Sequence, residues 1–482
     1  MCKIESMKKI LSSFLLVSIV VISSVLLSGC TISDEKINEY NRMVSEADIL
    51  IEGREYTLAI EKLSTATELI PSKVDALKRI VDIFILKNRL EEATKIIDDS
   101  GMQLSETDRA DLYISVGDAY YVVENYEKAL LNYQLAKGLS AQKQRALLGI
   151  AKTYLQKGKI EEAKSTLKSN FDGDILIESK LLLSYIEALT DSQEAKQTIE
   201  DIEPGDTWRD AYTKWNGILD SLTTDELYNG SKLGKEYLDS GYPYLAISLL
   251  QPNLEKMGEY ADGIYILGKA YYDYGEYQKS IDVLEENTSL SDLNQYIYWV
   301  LARDYNFLGD ANTSMSYYDS AIAYGAKEAQ EILYTEYLDI LVEDNLTEKA
   351  LEVMKSAERI FAKEWISIYY MDIYSLREDN EKFIYYMNKV SYDKLSETEK
   401  PEYLFSKGKY LIKTSKLDEA QLTLDVFWEL DQYDPRYNLL VGQLNFEKGE
   451  LEEARVYAKK AIEYDLEGIV SNDAQTLLAQ ID

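Results

Sequence analysis

The sequence predicts an all-α fold in which pairs of short helices repeat along the chain. The first observation is a small side chain that recurs mostly every 34 or 36 residues, at Ala59, Ala93, Ala129, Ala163, Ala246, Ser280, Ser314, Ala350, Ala420 and Ala454. The second is a turn-forming residue about five positions earlier, at Asn88, Gly158, Gly241, Gly275, Gly309, Asn345, Ser415 and Gly449. The third is another small residue twelve positions before the first, for example Gly234, Gly268 and Ala302.

These three positions have a simple physical interpretation. Two small side chains let the helices of one pair approach closely, and a Gly or Asn between them permits a tight turn. One pair cannot bury its apolar face alone, so neighbouring pairs must stack. With only 6 prolines and 46% apolar residues, the composition indicates a folded chain rather than a disordered one.

Two segments carry the fullest version of the pattern. They read VGDAYYVVENYEKALLNYQLA at 116–136 and LGKAYYDYGEYQKSIDVL at 267–284, and they resemble the tetratricopeptide repeat. The resemblance implies helix–turn–helix units stacked into a right-handed superhelical solenoid. We place units at 40–73, 74–107, 110–143, 144–177, 227–260, 261–294, 295–328, 331–364, 401–434 and 435–468, with weaker ones at 176–209 and 364–400.

The positions of these units predict the domain organisation. The register is lost at 178–226, which contains Pro204-Gly205, so we expect an irregular helical joint there. The predicted segments are a signal peptide at 1–29, a lipidated tether at 30–39, an N-terminal array at 40–177, the joint at 178–226, a C-terminal array at 227–468 and a capping helix at 469–482.

The first thirty residues resemble a bacterial lipoprotein signal peptide. Met7-Lys8-Lys9 precedes an uninterrupted apolar run that ends in Leu27-Ser28-Gly29-Cys30, and this ending resembles the lipobox. The resemblance implies cleavage before Cys30 and attachment of lipid, with acyl chains such as palmitate, to that residue. We therefore expect an extracytoplasmic protein held by lipid at the outer face of the cell membrane, or at the outer membrane of a diderm.

Composition excludes several classes of function. The chain has no histidine and two cysteines, so it offers no Ser-His-Asp or Cys-His nucleophile and no His-ligated or multi-thiolate metal site. A formal net charge of −33 repels phosphate backbones, so no nucleic acid is expected as a partner. No Gly-Lys pair is followed by Ser or Thr, as a phosphate-binding loop requires. We predict no catalytic residue, no metal and no cofactor, and hence no enzyme.

A candidate binding groove follows from the resemblance. In tetratricopeptide repeats, the second, fifth, ninth and twelfth residues of a unit face the concave groove. In units 261–294 and 295–328 these positions supply Tyr265, Lys269, Tyr272, Tyr296, Trp299, Arg303 and Asn306. Rings can stack on an extended peptide or a sugar chain, and Lys or Arg can bind acidic groups. The alternative is that these rings reflect only the high Tyr content of 40 residues.

The sequence thus predicts a non-catalytic, membrane-anchored scaffold or adaptor of the bacterial cell envelope. Its partners would be proteins or extended peptide segments bound in the groove. One alternative is a glycan-binding lipoprotein of a polysaccharide uptake or cell-wall system. Another is a helical-repeat enzyme that acts on wall polymers, with a pair of carboxylates that the sequence does not single out.

Overall fold

A computed structural model describes residues 32–139, 143–169, 173–258, 260–287, 293–324, 330–361, 363–466 and 468–481. All regular secondary structure in these ranges is helical. No helix within them is both long enough and apolar enough to cross a membrane. The predicted signal peptide and Cys30 lie outside the described residues. The chain divides into two compact units, Met1–Asp108 and Arg109–Asp482.

The first unit contains two helix pairs: α1 (Asp34–Glu52) with α2 (Tyr56–Leu69), and α3 (Val74–Leu86) with α4 (Leu90–Ser100). Polar side chains connect the pairs. The Tyr40 hydroxyl accepts a hydrogen bond from the backbone N–H of Ala76 at 2.9 Å. Arg79 donates Nε to Asp48 Oδ1 at 2.5 Å and Nη2 to Asp48 Oδ2 at 3.0 Å. These contacts fix α3 against α1.

The second unit also consists mainly of successive helix pairs. Its helices are α5 (Glu106–Val122), α6 (Tyr126–Gly138), α7 (Lys143–Gln156), α8 (Ile160–Leu167), α9 (Gly173–Glu187), α10 (Ser192–Glu200), α11 (Gly205–Asp220), α12 (Glu226–Asp239), α13 (Pro243–Leu250), α14 (Leu254–Met257), α15 (Ala261–Asp273), α16 (Tyr277–Glu285), α17 (Asn294–Phe307), α18 (Ala311–Tyr324), α19 (Gln330–Glu343), α20 (Thr347–Ile360), α21 (Trp365–Leu376), α22 (Asn380–Met387), α23 (Glu399–Lys413), α24 (Leu417–Asp431), α25 (Pro435–Lys448), α26 (Leu451–Tyr464) and α27 (Ser471–Ile481).

The small residues of the 34-residue register are core residues. All ten of them, from Ala59 to Ala454, are at most 2% exposed. The second set of small residues also serves close packing, because a Cβ on Gly268 would lie only 2.4 Å from Cδ2 of Leu284. The predicted all-α, tetratricopeptide-like fold is therefore confirmed by the burial of the residues that predicted it.

The turns inside the helix pairs share one backbone conformation. All eight turn residues predicted from the sequence have positive φ, from 52° at Asn88 to 81° at Gly275. The equivalent positions in other pairs are also left-handed, at Arg54, Glu124 and Glu378. The left-handed residue reverses the chain direction after the last helical turn, which lets the second helix pack back on the first.

In the segment 178–226, the unpaired helix α11 is fixed to the helices around it by polar contacts. Trp215 of α11 is fully buried, and its indole N–H donates to Ser184 Oγ of α9 at 2.8 Å. The same Ser184 hydroxyl donates to the carbonyl of Ala195 at 2.7 Å. The Tyr237 hydroxyl of α12 donates to the carbonyl of Tyr185 at 2.9 Å. These bonds connect α9, α10, α11 and α12.

Two turns on either side of that segment are in direct contact. Gln156 Nε2 donates to the carbonyl of Gly241 at 2.7 Å and to the hydroxyl of Tyr121 at 3.1 Å. Close by, a Cβ on Gly158 would lie 2.6 Å from the ring of Tyr244. The turn between α7 and α8 therefore packs on the turn between α12 and α13.

The last helix, α27, is capped by a residue well before its first turn. The carboxylate of Asp465 accepts hydrogen bonds at 2.8 Å from the backbone N–H groups of Ile469, Val470 and Ser471. Burial alone would raise the pKa of Asp465, but these bonds and one from the Ser471 hydroxyl hold it below the ordinary value.

Candidate binding groove

The seven predicted groove residues lie on α15 and α17. Tyr265, Lys269 and Tyr272 are four and three residues apart, so they share one face of α15. The residues on α17 share a face for the same reason, because they are spaced by three, four and three positions: Tyr296, Trp299, Arg303 and Asn306. The structure distributes six of these seven side chains between two cavities.

The first cavity has a volume of about 510 Å³ and is lined mainly by apolar atoms. We call it the tyrosine cavity, after Tyr228, Tyr260, Tyr265 and Tyr296 in its wall. The rings of Tyr265 and Tyr296 lie against each other with centroids 6.0 Å apart. Burial raises the pKa of Tyr265 to about 12, so its hydroxyl stays protonated at neutral pH.

Three lysines line the same cavity, and two of them are neutralised by aspartates of their own helices. Lys235 Nζ lies 3.2 Å from a carboxylate oxygen of Asp239, and Lys269 Nζ lies 2.6 Å from one of Asp273. Lys232 instead donates to the hydroxyl of Tyr228 at 3.2 Å and lies 5.4 Å from the centre of that ring. Lys235 and Lys269 are therefore largely compensated within the chain.

The second cavity, of about 420 Å³, is lined by Tyr272, Arg303, Asn306, Tyr318, Glu336 and Asp339 among others. We call it the ion-pair cavity. Arg303 donates Nε to Glu336 Oε1 at 2.8 Å and Nη2 to Glu336 Oε2 at 2.5 Å. The Tyr318 hydroxyl donates to Glu336 Oε1 at 2.5 Å. The guanidinium also lies 4.2 Å from the centre of the Trp299 ring, whose N–H is 3.4 Å from Glu336 Oε1.

This network fixes the charge state of Glu336. Burial alone would raise the pKa of Glu336, but hydrogen bonds from Arg303 and Tyr318 hold it below the ordinary value. Arg303 was predicted to contact acidic groups of a partner. In the structure its guanidinium N–H groups already donate to a carboxylate of the same chain. Its role in binding a partner stays a prediction.

The position rule found part of the tyrosine cavity and missed part of it. Applied to unit 227–260, the same rule gives Tyr228 and Lys235 at the second and ninth positions. Lys232 and Tyr260 occupy other positions of that unit, so the rule does not select them. Within the described ranges, no group of three or more His, Cys, Asp or Glu side chains could hold a metal ion. The chemistry that the cavity offers is ring contact, hydrogen bonding and charge.

No family model matches the chain, and no curated protein matches it either. Among solved structures, the Naa15/Naa10 complex bound to HypK-THB is similar at 13% identity and a TM-score of 0.39, over 92% of this chain and 96% of that chain. A tetratricopeptide repeat protein from Parabacteroides merdae ATCC 43184 is similar at 15% identity and a TM-score of 0.40, over 53% and 98%. Yeast Tom70 is similar at 14% identity and 0.35, over 92% and 88%.

These likenesses are too weak to carry an argument about function. The assignment of the fold rests on the chain itself: on the succession of helix pairs, on the buried register of small residues and on the left-handed turns. The described chain has an all-α, tetratricopeptide-like repeat fold.

Proposed function

We propose that this protein is a non-catalytic scaffold that binds extended segments of partner proteins through the concave face of α12, α15 and α17. The observation that carries the proposal is the tyrosine cavity, a largely apolar space of about 510 Å³ in a chain of formal net charge −33. Open apolar spaces with a few polar groups are where folded proteins usually bind ligands. Stacked helical repeats present such spaces in series, as an extended partner requires.

We further propose that lipid on Cys30 holds the scaffold at the outer face of a bacterial membrane, as part of an envelope complex. Support comes from the apolar run and from Leu27-Ser28-Gly29-Cys30. Replacing Cys30 with Ser should abolish incorporation of a palmitate analogue. Labelling that persists in Cys30→Ser would overturn the anchor.

Binding through the groove is tested by crosslinking the full-length chain in its own membranes and identifying the proteins captured. The test variant carries Tyr265→Ala and Tyr296→Ala, which remove two facing rings from the cavity. The matched control carries Tyr324→Ala and Tyr385→Ala, two exposed rings outside it, at 59% and 54% exposure. Thermal unfolding followed by circular dichroism checks that both variants are folded.

We expect a discrete partner that the wild type and the control capture and the test variant loses. A partner that the test variant still captures would show that the cavity is not the binding site. If wall polysaccharide is retained and no protein is captured, the scaffold proposal is wrong and a glycan-binding lipoprotein takes its place.

A further inference from the structure

One position in the wall of the tyrosine cavity carries a short side chain. The fifth residue of a unit is Tyr265 on α15 and Trp299 on α17, whereas on α12 it is Ser231, which lines the cavity. An apolar side chain that displaces water from a wall with four tyrosine rings gains hydrophobic and ring contacts. The cavity therefore suits a large aromatic side chain of the partner.

Among the described residues, two oppositely charged side chains in the cavity wall make no ion pair. Lys232 on α12 makes no ion pair within the described ranges, and its ammonium binds the hydroxyl and faces the ring of Tyr228. Asp262, in the first turn of α15, also lines the cavity, and in the part of the chain that the structure describes it makes no ion pair or side-chain hydrogen bond. The other lining lysines are paired with aspartates of their own helices.

From this arrangement we propose that the tyrosine cavity binds a polypeptide segment in which an aromatic residue stands between one acidic and one basic side chain. The acidic side chain pairs with Lys232 and the basic one with Asp262. The two charges belong to different helices and therefore lie at different places in the wall. The cavity thus prefers one order of the acidic and basic side chains along the partner over the reverse order. The inference rests on the proposed function and adds the chemistry and the orientation of the bound segment.

The charges of Lys232 and Asp262 determine the orientation of the bound segment more than its affinity. Partly exposed ion pairs contribute little affinity, but placing like charges together is unfavourable, so the wrong order is rejected. The formal charge of −33 also disfavours a partner segment with several acidic residues. One acidic and one basic side chain, neutral in sum, avoid that repulsion.

The test uses the full-length chain in mild detergent and three dye-labelled peptides with blocked ends. Their central residues are Glu-Trp-Lys, Lys-Trp-Glu and, as the uncharged reference, Gln-Trp-Gln. Dissociation constants are measured by fluorescence anisotropy at low and at high salt. We expect the two charged orders to differ in affinity by about 3- to 10-fold, with the difference shrinking at high salt because the charges are partly exposed.

A charge exchange makes the test specific. In the variant Lys232→Asp with Asp262→Lys, the preferred order of the charges should invert. The matched control exchanges a pair outside the cavity, Lys416→Glu with Glu419→Lys, whose charges already pair with each other. That control should keep the wild-type preference. Thermal unfolding should be similar for all three proteins.

Three results of the peptide measurements would overturn the inference. These are equal affinity for both charged orders, an unchanged preference in the Lys232/Asp262 exchange, and the absence of binding to all three peptides. It also fails if free tryptophan competes as well as the peptides do, because the occupant would then be a small zwitterion. The proposed function is judged separately, by the partner captured in membranes and lost with Tyr265→Ala and Tyr296→Ala.

Discussion

Arg303 and Glu336 form a two-contact ion pair that joins α17 to α19, with Nε–Oε1 and Nη2–Oε2 distances of 2.8 and 2.5 Å. The two side chains are only 27% and 26% exposed, and they belong to neighbouring helix pairs. Arg303, which the sequence predicts to be a groove cation, thus forms an ion pair that connects two neighbouring repeats.

The first prediction concerns the energy of this ion pair. Replacing Glu336 with Gln should leave the half-buried guanidinium without its counter-charge and lower the free energy of unfolding by about 1 to 3 kcal/mol. Replacing Arg303 with Met should cost a similar amount, because it leaves Glu336 uncompensated. The double variant should cost less than the sum, with a coupling of about 1 to 2 kcal/mol. Urea unfolding of the four proteins measures this, and strict additivity would contradict it.

The second prediction concerns close helix packing at Gly268. Alanine is the better helix former, but its Cβ here would lie 2.4 Å from Cγ and Cδ2 of Leu284. We expect Gly268→Ala to destabilise the protein by about 1 to 3 kcal/mol.

Gly217 in α11 is the matched control for Gly268, since a Cβ there has no atom within 4 Å. Gly217→Ala should be neutral or stabilise the protein by up to about 1 kcal/mol. Urea unfolding distinguishes the two, and a stabilising Gly268→Ala would contradict the close approach.

The third prediction concerns the contact between the turns at Gly158 and Tyr244. Gly158 and Gly275 both have positive φ, 68° and 81°, so alanine at either site costs about 1 to 2 kcal/mol in backbone strain. At Gly158 the added Cβ would also lie 2.6 Å from the Tyr244 ring, whereas at Gly275 nothing lies within 4 Å. We expect Gly158→Ala to be at least about 1 kcal/mol more destabilising than Gly275→Ala, measured by urea unfolding. Equal losses would argue against the turn contact.

The fourth prediction concerns a buried carboxyl group in α17. Asp304 is 0% exposed, and within the described residues the Ser280 hydroxyl lies near its carboxylate without forming a hydrogen bond of ordinary geometry. Burial raises the pKa of Asp304 to about 7, while in the unfolded chain it returns to about 3.9. The folded protein therefore holds this proton more tightly than the unfolded chain does.

The sign of the pH dependence follows from that difference. The stability that the protonated Asp304 contributes is fully present below about pH 4 and is lost as the pH rises to about 7. Asp304→Asn keeps the shape without the charge, so it should exceed the wild type by about 1 to 3 kcal/mol at pH 8. The advantage should vanish near pH 4. Urea unfolding across this range measures it, and an advantage independent of pH would exclude ionisation of Asp304 as the cause.

The candidate site shows how far the sequence can go. A rule of four positions assigned Tyr265, Lys269 and Tyr296 to a groove, because residues spaced by three and four share a helical face, and the structure places these three in the wall of one cavity. The rule could not find Lys232 or Tyr260, since enclosure of a space depends on how the neighbouring helices pack. It also could not show that Arg303 meets Glu336, because the partner lies on another repeat.

By itself, the sequence determined the helix pairs, their turns and the small residues at their contacts. These features depend on spacing within about 34 residues, where side-chain size and backbone preference act locally. Only the tertiary structure decided which charged side chains form ion pairs and where the tyrosine cavity lies. It also decided which residues on the two sides of the segment 178–226 are in contact. There Gln156 reaches the carbonyl of Gly241, 85 positions away, and Trp215 is buried against Ser184. Such contacts depend on the path of all the intervening helices, and no local spacing encodes that path.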